Sequence, residues 1–165
     1  MAFRCATCSE LHEGLPDLGF GKPDPWFDVP EGERERRTKW TPDTCVIDGE
    51  QFFLRGVLYL PVLGSTDAFG LGLWVSQSRD NFERYVAEPN EPDESTLPPT
   101  FGWLSTNLPF YDPGTFALKT TVHFQRARQR PRIELERTSH PFSIDQRGGI
   151  TEARAWEMVH RFVTN

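Results

Sequence analysis

Residues 51–62 read QFFLRGVLYLPV, and the period of their apolar side chains decides the fold. Phe52, Leu54, Leu58 and Leu60 keep to every second residue, with Gly56 between them, which is the spacing of one face of a β-strand. Phe53, Val57 and Tyr59 occupy the opposite face, so the pattern predicts a strand covered on both sides. FGLGLWVSQS at 69–78 repeats the alternation through Leu71, Leu73 and Val75, and the GSTD between the two runs predicts a hairpin connection.

Downstream, RDNFERYV at 79–86 predicts a short helix with Phe82 and either Tyr85 or Val86 inward. AEPNEPDESTLPP, with its prolines and acids, predicts a solvated loop, and FGWLSTNLPFYDPGT at 101–115 reads as strand, turn and loop. TFALKTTVHFQ alternates again through Leu118, Thr120, Val122 and Phe124. RIELER, with Ile133 and Leu135 inward, is expected to return antiparallel to it as a second hairpin. Thr151 is a candidate N-cap for an amphipathic helix carrying Ala155, Met158, Val159 and Phe162 at helical spacing.

Upstream, the breakers in GFGKPDPWFDVP predict an irregular segment with Trp26 and Phe27 tucked inward. EGERERRTKW at 31–40 predicts a short charged helix whose acids lead and whose bases follow, matching the helix dipole. The expected fold class is α+β: a mostly antiparallel sheet with two or three helices packed on it and an N-terminal zinc-knuckle-like segment. A single domain over 1–165 is expected, with 1–45 as metal-binding segment and short helix, and 46–165 as sheet plus C-terminal helix.

At 165 residues and 37% hydrophobic content, with 5 Trp and 13 Phe, the chain can bury a core without covalent staples. The absence of a long apolar run and of a charged-then-apolar leader predicts no membrane span and a cytoplasmic location. The net charge of −6 argues against nucleic acid as a partner. The charge is uneven, however: residues 1–118 hold 19 acidic and 9 basic side chains, a balance of −10, and residues 119–165 hold 5 and 9, a balance of +4. The C-terminal part is therefore expected to present a positive face, with Arg126, Arg128, Arg130 and Arg132 at a hairpin end as candidates to grip phosphate or an acidic protein surface. The run carries no aromatic residue for stacking on single-stranded nucleic acid.

Several strings in order, FRCATCSELHEGLP, DTCVIDGEQFFLRGVLYLPV, WVSQSRDNFERY, FGWLSTNLPFY, LKTTVHF and RPRIELERTSHPFSIDQRGGIT, together resemble the bacterial domain-of-unknown-function family 2199 over nearly the whole chain. The resemblance implies a CxxC plus histidine near the N-terminus and a further cysteine ahead of the first long strand, here Cys5, Cys8, His12 and Cys45. It also implies glycine after the second cysteine, where this chain has Ser9.

A CxxC turn presents two thiolates to one tetrahedral ion, and His12 follows Cys8 by four residues, so one helical turn would bring the imidazole to the same side. With only 3 Cys in the chain, Cys3His is the fullest zinc site available in one monomer. Four protein ligands would make the Zn2+ structural and leave no position for substrate. An open site lacking Cys45 would suit a metal-dependent hydrolase, with Glu10 or Glu13 as base beside a zinc-bound water. The competing readings are that Cys45 is a small buried hydrophobe with Cys5 and Cys8 idle, or that Cys5 and Cys8 form a redox pair. The histidine follows the CxxC, the reverse of the order in nucleobase deaminases.

His140 and Asp145, with Ser105 or Ser139 as nucleophile, have no elbow motif around them, and a capping histidine is the simpler reading. His123 is expected to be exposed or paired across strands. Trp74, Trp103 and Phe101 read as core, with a pocket wall as the alternative for Trp103. Two function classes result: a non-catalytic, zinc-stabilised binding module for a protein or small anionic ligand, immunity-protein-like in size and charge, and a metal-dependent hydrolase. The first is preferred, because no acid/base or nucleophile arrangement stands out.

Overall fold

The computed structural model describes residues 3–4, 11–12, 14–88, 97–125 and 129–164. In chain order the elements are β1 (Phe3–Arg4), β2 (Leu11–His12), β3 (Leu18–Gly19), α1 (Asp24–Asp28), a 3-10 turn (Glu31–Glu33), α2 (Arg34–Arg37), β4 (Thr38–Trp40), β5 (Thr44–Ile47), β6 (Gln51–Pro61), β7 (Ala68–Gln77), α3 (Arg79–Ala87), β8 (Thr100–Trp103), β9 (Lys119–His123), β10 (Arg132–Leu135), α4 (Pro141–Gly148) and α5 (Glu152–Thr164). This is a mixed α+β fold built on a sheet ordered β3-β7-β6-β10-β9-β8, with β4 and β5 attached beside β6.

The QFFLRGVLYLPV stretch forms β6 and pairs antiparallel with β7 from Phe52↔Gln77 to Pro61↔Ala68, so the alternation in the sequence is the register that forms. β9 and β10 form the second hairpin, from Arg132↔His123 to Leu135↔Thr120. Two pairings are parallel, β10 with β6 at Arg132↔Val57 and β3 with β7 at Leu18↔Leu71, so the sheet is mostly but not wholly antiparallel. Beyond Val57 a side chain takes over from β6: Gln146 on α4 accepts from Leu135 N (2.8 Å) and donates to Ile133 O (3.1 Å), satisfying backbone groups that would otherwise be orphaned. At the far edge the open sheet curls until β8 meets β7, through the bridge Val75↔Leu104 and the bonds Ser105 N to Trp74 O (2.7 Å) and Trp103 N to Ser76 Oγ (3.0 Å).

The inner face of this curved sheet, with Leu54, Leu58, Leu60, Leu71, Leu73, Val122 and Ile133, packs with Phe142 of α4 and Ala155, Trp156, Met158 and Val159 of α5 into the main core. A second cluster, Val29, Cys45, Ile47, Phe53 and Trp74, sits under the Trp26 and Phe20 region. Covering of β6 on both sides therefore holds at Phe53 and fails further along, where Val57 is half-buried and Tyr59 is exposed.

Helices exceed the expected two or three: five are present among the described residues. α3 starts at Ser78, whose Oγ accepts from Asn81 N (3.1 Å), and Thr151 Oγ1 accepts from Arg154 N (3.1 Å) at the start of α5, as its N-cap position predicts. α4 arises where the sequence suggests only a turn. Its Pro141 fits the first helical position, and His140 Nδ1 accepts from Phe142 N (3.0 Å) as the cap. α1 also has a proline in its first turn, Pro25, but its N-cap residue Pro23 makes no side-chain cap bond.

The 31–40 helix ends early. Thr38 Oγ1 bonds Arg34 O (2.6 Å), and Thr38–Trp40 pair with β5 instead, a register that buries Thr38. Phe27, expected inward, is 61% exposed, while Trp26 is half-buried. Among the described residues no helix is long and apolar enough to cross a membrane.

Candidate functional site

Of the four expected metal ligands, Cys5, Cys8 and the side chain of His12 lie outside the described residues; the His12 backbone belongs to β2, opposite Phe3. Cys45 sits on β5, fully buried between Trp40 and Phe53 in register and packed with Val29, Ile47 and Trp74. Burial pushes its thiol up to about 11, with Lys22 pulling weakly the other way. Among the described residues no three His, Cys, Asp or Glu side chains gather as a metal group. Cys45 is a core residue of the second cluster.

The hydrolytic candidates come apart in the same way. His140 caps α4 through Nδ1, which accepts from Phe142 N, and this leaves Nε2 as the donor to Pro113 O (3.0 Å) and Gly114 O (3.1 Å). Asp145 instead accepts from Tyr111 Oη (2.7 Å), and Ser105 Oγ is buried and donates to Trp103 O (2.9 Å). His123 Nε2 reaches Glu134 Oε1 across the strands (2.9 Å), and this bond holds the Glu134 carboxyl below its usual range. Phe101 and Trp103, expected in the core, are 51% and 45% exposed and meet edge to face at 4.9 Å, because Thr121 and Lys119, their partners on β9, belong to the sheet's outer face. Trp74 is buried as expected.

What the fold does assemble lies on that outer face, beyond Phe53. A cavity of about 520 Å³ is lined by Asp43, Val57, Tyr59, Gln125, Gln129 and Arg130. β6 supplies Val57 and Tyr59. The turn before β5 supplies Asp43, and the β9–β10 connection supplies the two glutamines and Arg130. Arg130 Nε donates to Asp43 Oδ1 (2.7 Å) across a sequence gap of 87 residues, and Gln125 Nε2 donates to Arg130 O (2.8 Å), pinning the hairpin end.

Next to Val57 on the same face, Arg55 lies over a strip without side chains. A Cβ at Gly72 would come within 3.3 Å of its Nη2, and one at Gly19 would collide with it. Arg55 Nε is buried and has no hydrogen-bond partner among the described residues. Burial and the nearby charge of Arg130 both depress its pKa, with the Asp43 carboxylate opposing them. Only Arg130 bonds the Asp43 carboxylate; Arg55 feels its field from over Gly72, on the strip where the Asp17 carboxylate stands beside Gly70.

The expected arginine face is met only in part. Arg130 faces the cavity; Arg132 is exposed on β10 opposite Val57; Arg126 and Arg128 lie outside the described residues. Sequence reasoning missed Arg55, Asp43, Tyr59, Gln125 and Gln129. The available signal was Arg55 itself, a lone charge inside FFLRGVLYL.

Comparison with known proteins is consistent with the order of motifs along the chain. The family model described as an uncharacterized protein conserved in bacteria, DUF2199, matches residues 4–150. No curated protein and no solved structure matches the chain.

Proposed function

The chain belongs to this bacterial domain-of-unknown-function family, and from that premise we propose that it is a non-catalytic binding module that holds an anionic ligand at the Arg130 cavity. The observation that carries the proposal is the Arg130 guanidinium, which lines the cavity and is held in place by Asp43 and Gln125. Arg55, on the same face of β6, keeps a buried Nε without a hydrogen-bond partner among the described residues and lies in the field of Arg130 and Asp43. An arginine that lines an open cavity is a ready partner for a carboxylate or phosphate group that arrives from outside. Among the described residues around the cavity no nucleophile is paired with a base, which favours binding over catalysis.

The test is Arg130→Glu. Wild-type protein is expected to show saturable amide shifts near Gln125 and Arg130 in NMR titrations with acetate or inorganic phosphate at fixed ionic strength, and the variant none. Because the Asp43–Arg130 pair is solvent-facing, with side chains 46% and 38% exposed, the melting temperature should stay within about 3 °C. Saturable shifts that survive in the variant, or none in wild type, would remove the proposal.

A zinc staple belongs to the proposal as a separate part, resting on Cys5, Cys8 and His12 and leaving out Cys45. Elemental mass spectrometry is expected to find the same zinc content in wild type and Cys45→Ala, and less in Cys8→Ser. Cys45→Ser should lose about 1–3 kcal/mol of stability from a hydroxyl placed among Val29, Ile47, Phe53 and Trp74. Zinc lost on Cys45→Ala would return Cys45 to the ligand set.

A further inference from the structure

We infer that the ligand of the Arg130 cavity is a free α-amino acid with a polar side chain, bound as its zwitterion. The inference rests on the anion-binding proposal above, whose anionic group is then the carboxylate of the amino acid.

The charges of the lining come as a matched pair. Among the described residues Arg130 and Asp43 are the charged members of the lining, and Val57, Tyr59, Gln125 and Gln129 are neutral. Arg55 stands off the lining, over Gly72 and Gly19, on the strip where Asp17 occupies the space beside Gly70. The lining therefore presents one positive and one negative group with no net charge. A simple anion that reaches Arg130 also stands beside the Asp43 carboxylate, a like-charge contact that weakens it. A ligand with an ammonium next to its carboxylate meets both groups with the opposite sign.

The bonding of the pair leaves the atoms such a ligand needs. Arg130 Nε donates to Asp43 Oδ1 (2.7 Å), which sets the two charges side by side. Among the described residues this is the bond that joins the two side chains to anything, so the Nη groups of Arg130 and Oδ2 of Asp43 remain for a ligand. Two Nη donors suit a carboxylate fork, and a carboxylate oxygen accepts from an ammonium. In an α-amino acid a single carbon separates these two groups, and both are charged at pH 7. The end of a peptide offers one of them without the other. Gln125 Nε2 holds Arg130 O (2.8 Å), which fixes the backbone that carries the guanidinium and lowers the cost of ordering it on binding.

The remaining walls favour a polar side chain. Gln125 spends its amide N–H on Arg130 and keeps Oε1 as an acceptor, Gln129 adds an amide, and Tyr59 adds a hydroxyl; Val57 is the wholly apolar member of the described lining. A cavity of about 520 Å³ is larger than the two charged groups fill and lies in the range of sites that take small organic molecules.

The experiment titrates L-glutamine, N-acetyl-L-glutamine, L-norleucine and acetate into the full chain at pH 7 and constant ionic strength, followed by amide shifts near Gln125 and Arg130. Glutamine is expected to bind about tenfold more tightly than N-acetylglutamine or acetate, which keep the carboxylate and lack the ammonium. Norleucine, which lacks the side-chain amide, should bind about fivefold more weakly than glutamine. Asp43→Asn keeps an oxygen that can accept from Arg130 and loses the negative charge. It should weaken glutamine about tenfold and tighten acetate about threefold, opposite changes that general loss of structure would not produce. N-acetylglutamine binding as tightly as glutamine, or glutamine unaffected by Asp43→Asn, would overturn the zwitterion and leave the anion module standing. Norleucine binding as tightly as glutamine would overturn the polar side chain. Saturable binding of none of the four would overturn the amino acid and the anion module together.

Discussion

Replacing Trp74 with alanine is expected to cost about 3–5 kcal/mol of unfolding free energy, the cost of truncating a large buried aromatic. The side chain is fully buried at the centre of the second cluster, against Val29, Cys45, Ile47 and Phe53, and it adds to the β3–β7 pairing in tying the N-terminal segment to the sheet. Its Nε1 donates to Phe20 O (2.7 Å), so truncation also leaves a carbonyl without its partner. Trp74→Phe keeps most of the volume and loses the bond, and should cost about 1–2 kcal/mol. Urea denaturation monitored by far-UV circular dichroism measures both, as shifts of the midpoint at an unchanged slope. A loss below about 1 kcal/mol for alanine would show that the cluster does not anchor the fold.

Gly102→Ala is the second large effect, expected at about 3 kcal/mol, the upper end of overpacking costs. Here β8 crosses so close to β7 that an added Cβ would stand 2.5 Å from Ser76 O and 3.3 Å from Val75 Cβ. The first obstacle is backbone and cannot swing aside, so the seam must open. Gly32→Ala is the control, since a methyl group there would meet nothing within 4 Å and its backbone has no need of glycine; it should change stability by less than about 0.5 kcal/mol. Equal effects from the two substitutions would refute the close approach at Gly102.

The strands were legible because their signal is local. In β6 and β7 the period of two survives for a whole element, and a short connection leaves antiparallel pairing as the economical outcome. Thr151 announced its helix by cap chemistry. α4 was hidden because a histidine served as the cap in place of the usual Ser, Thr, Asp or Asn, and because SHPFS resembles a turn. Phe101 and Trp103 misled because an aromatic in a strand says which face it shares with its neighbours but not whether that face is covered. The cavity was beyond reach for a different reason. Asp43 and Arg130 meet across 87 residues, and that meeting depends on β10 running beside β6, which neither segment encodes on its own.

That parallel contact also governs the order in which the chain can be completed. β5 covers one edge of β6 at Gln51–Leu54, but the Val57 region of the same edge waits for Pro131 and Arg132, whose carbonyl and register close it. A nascent chain that has emerged only through β9 therefore carries a hydrophobic strand with an unsatisfied edge, the kind that pairs with other chains. Arg55 lies two residues before that open stretch, a charge beside the edge that an unfinished sheet offers to a second copy of itself.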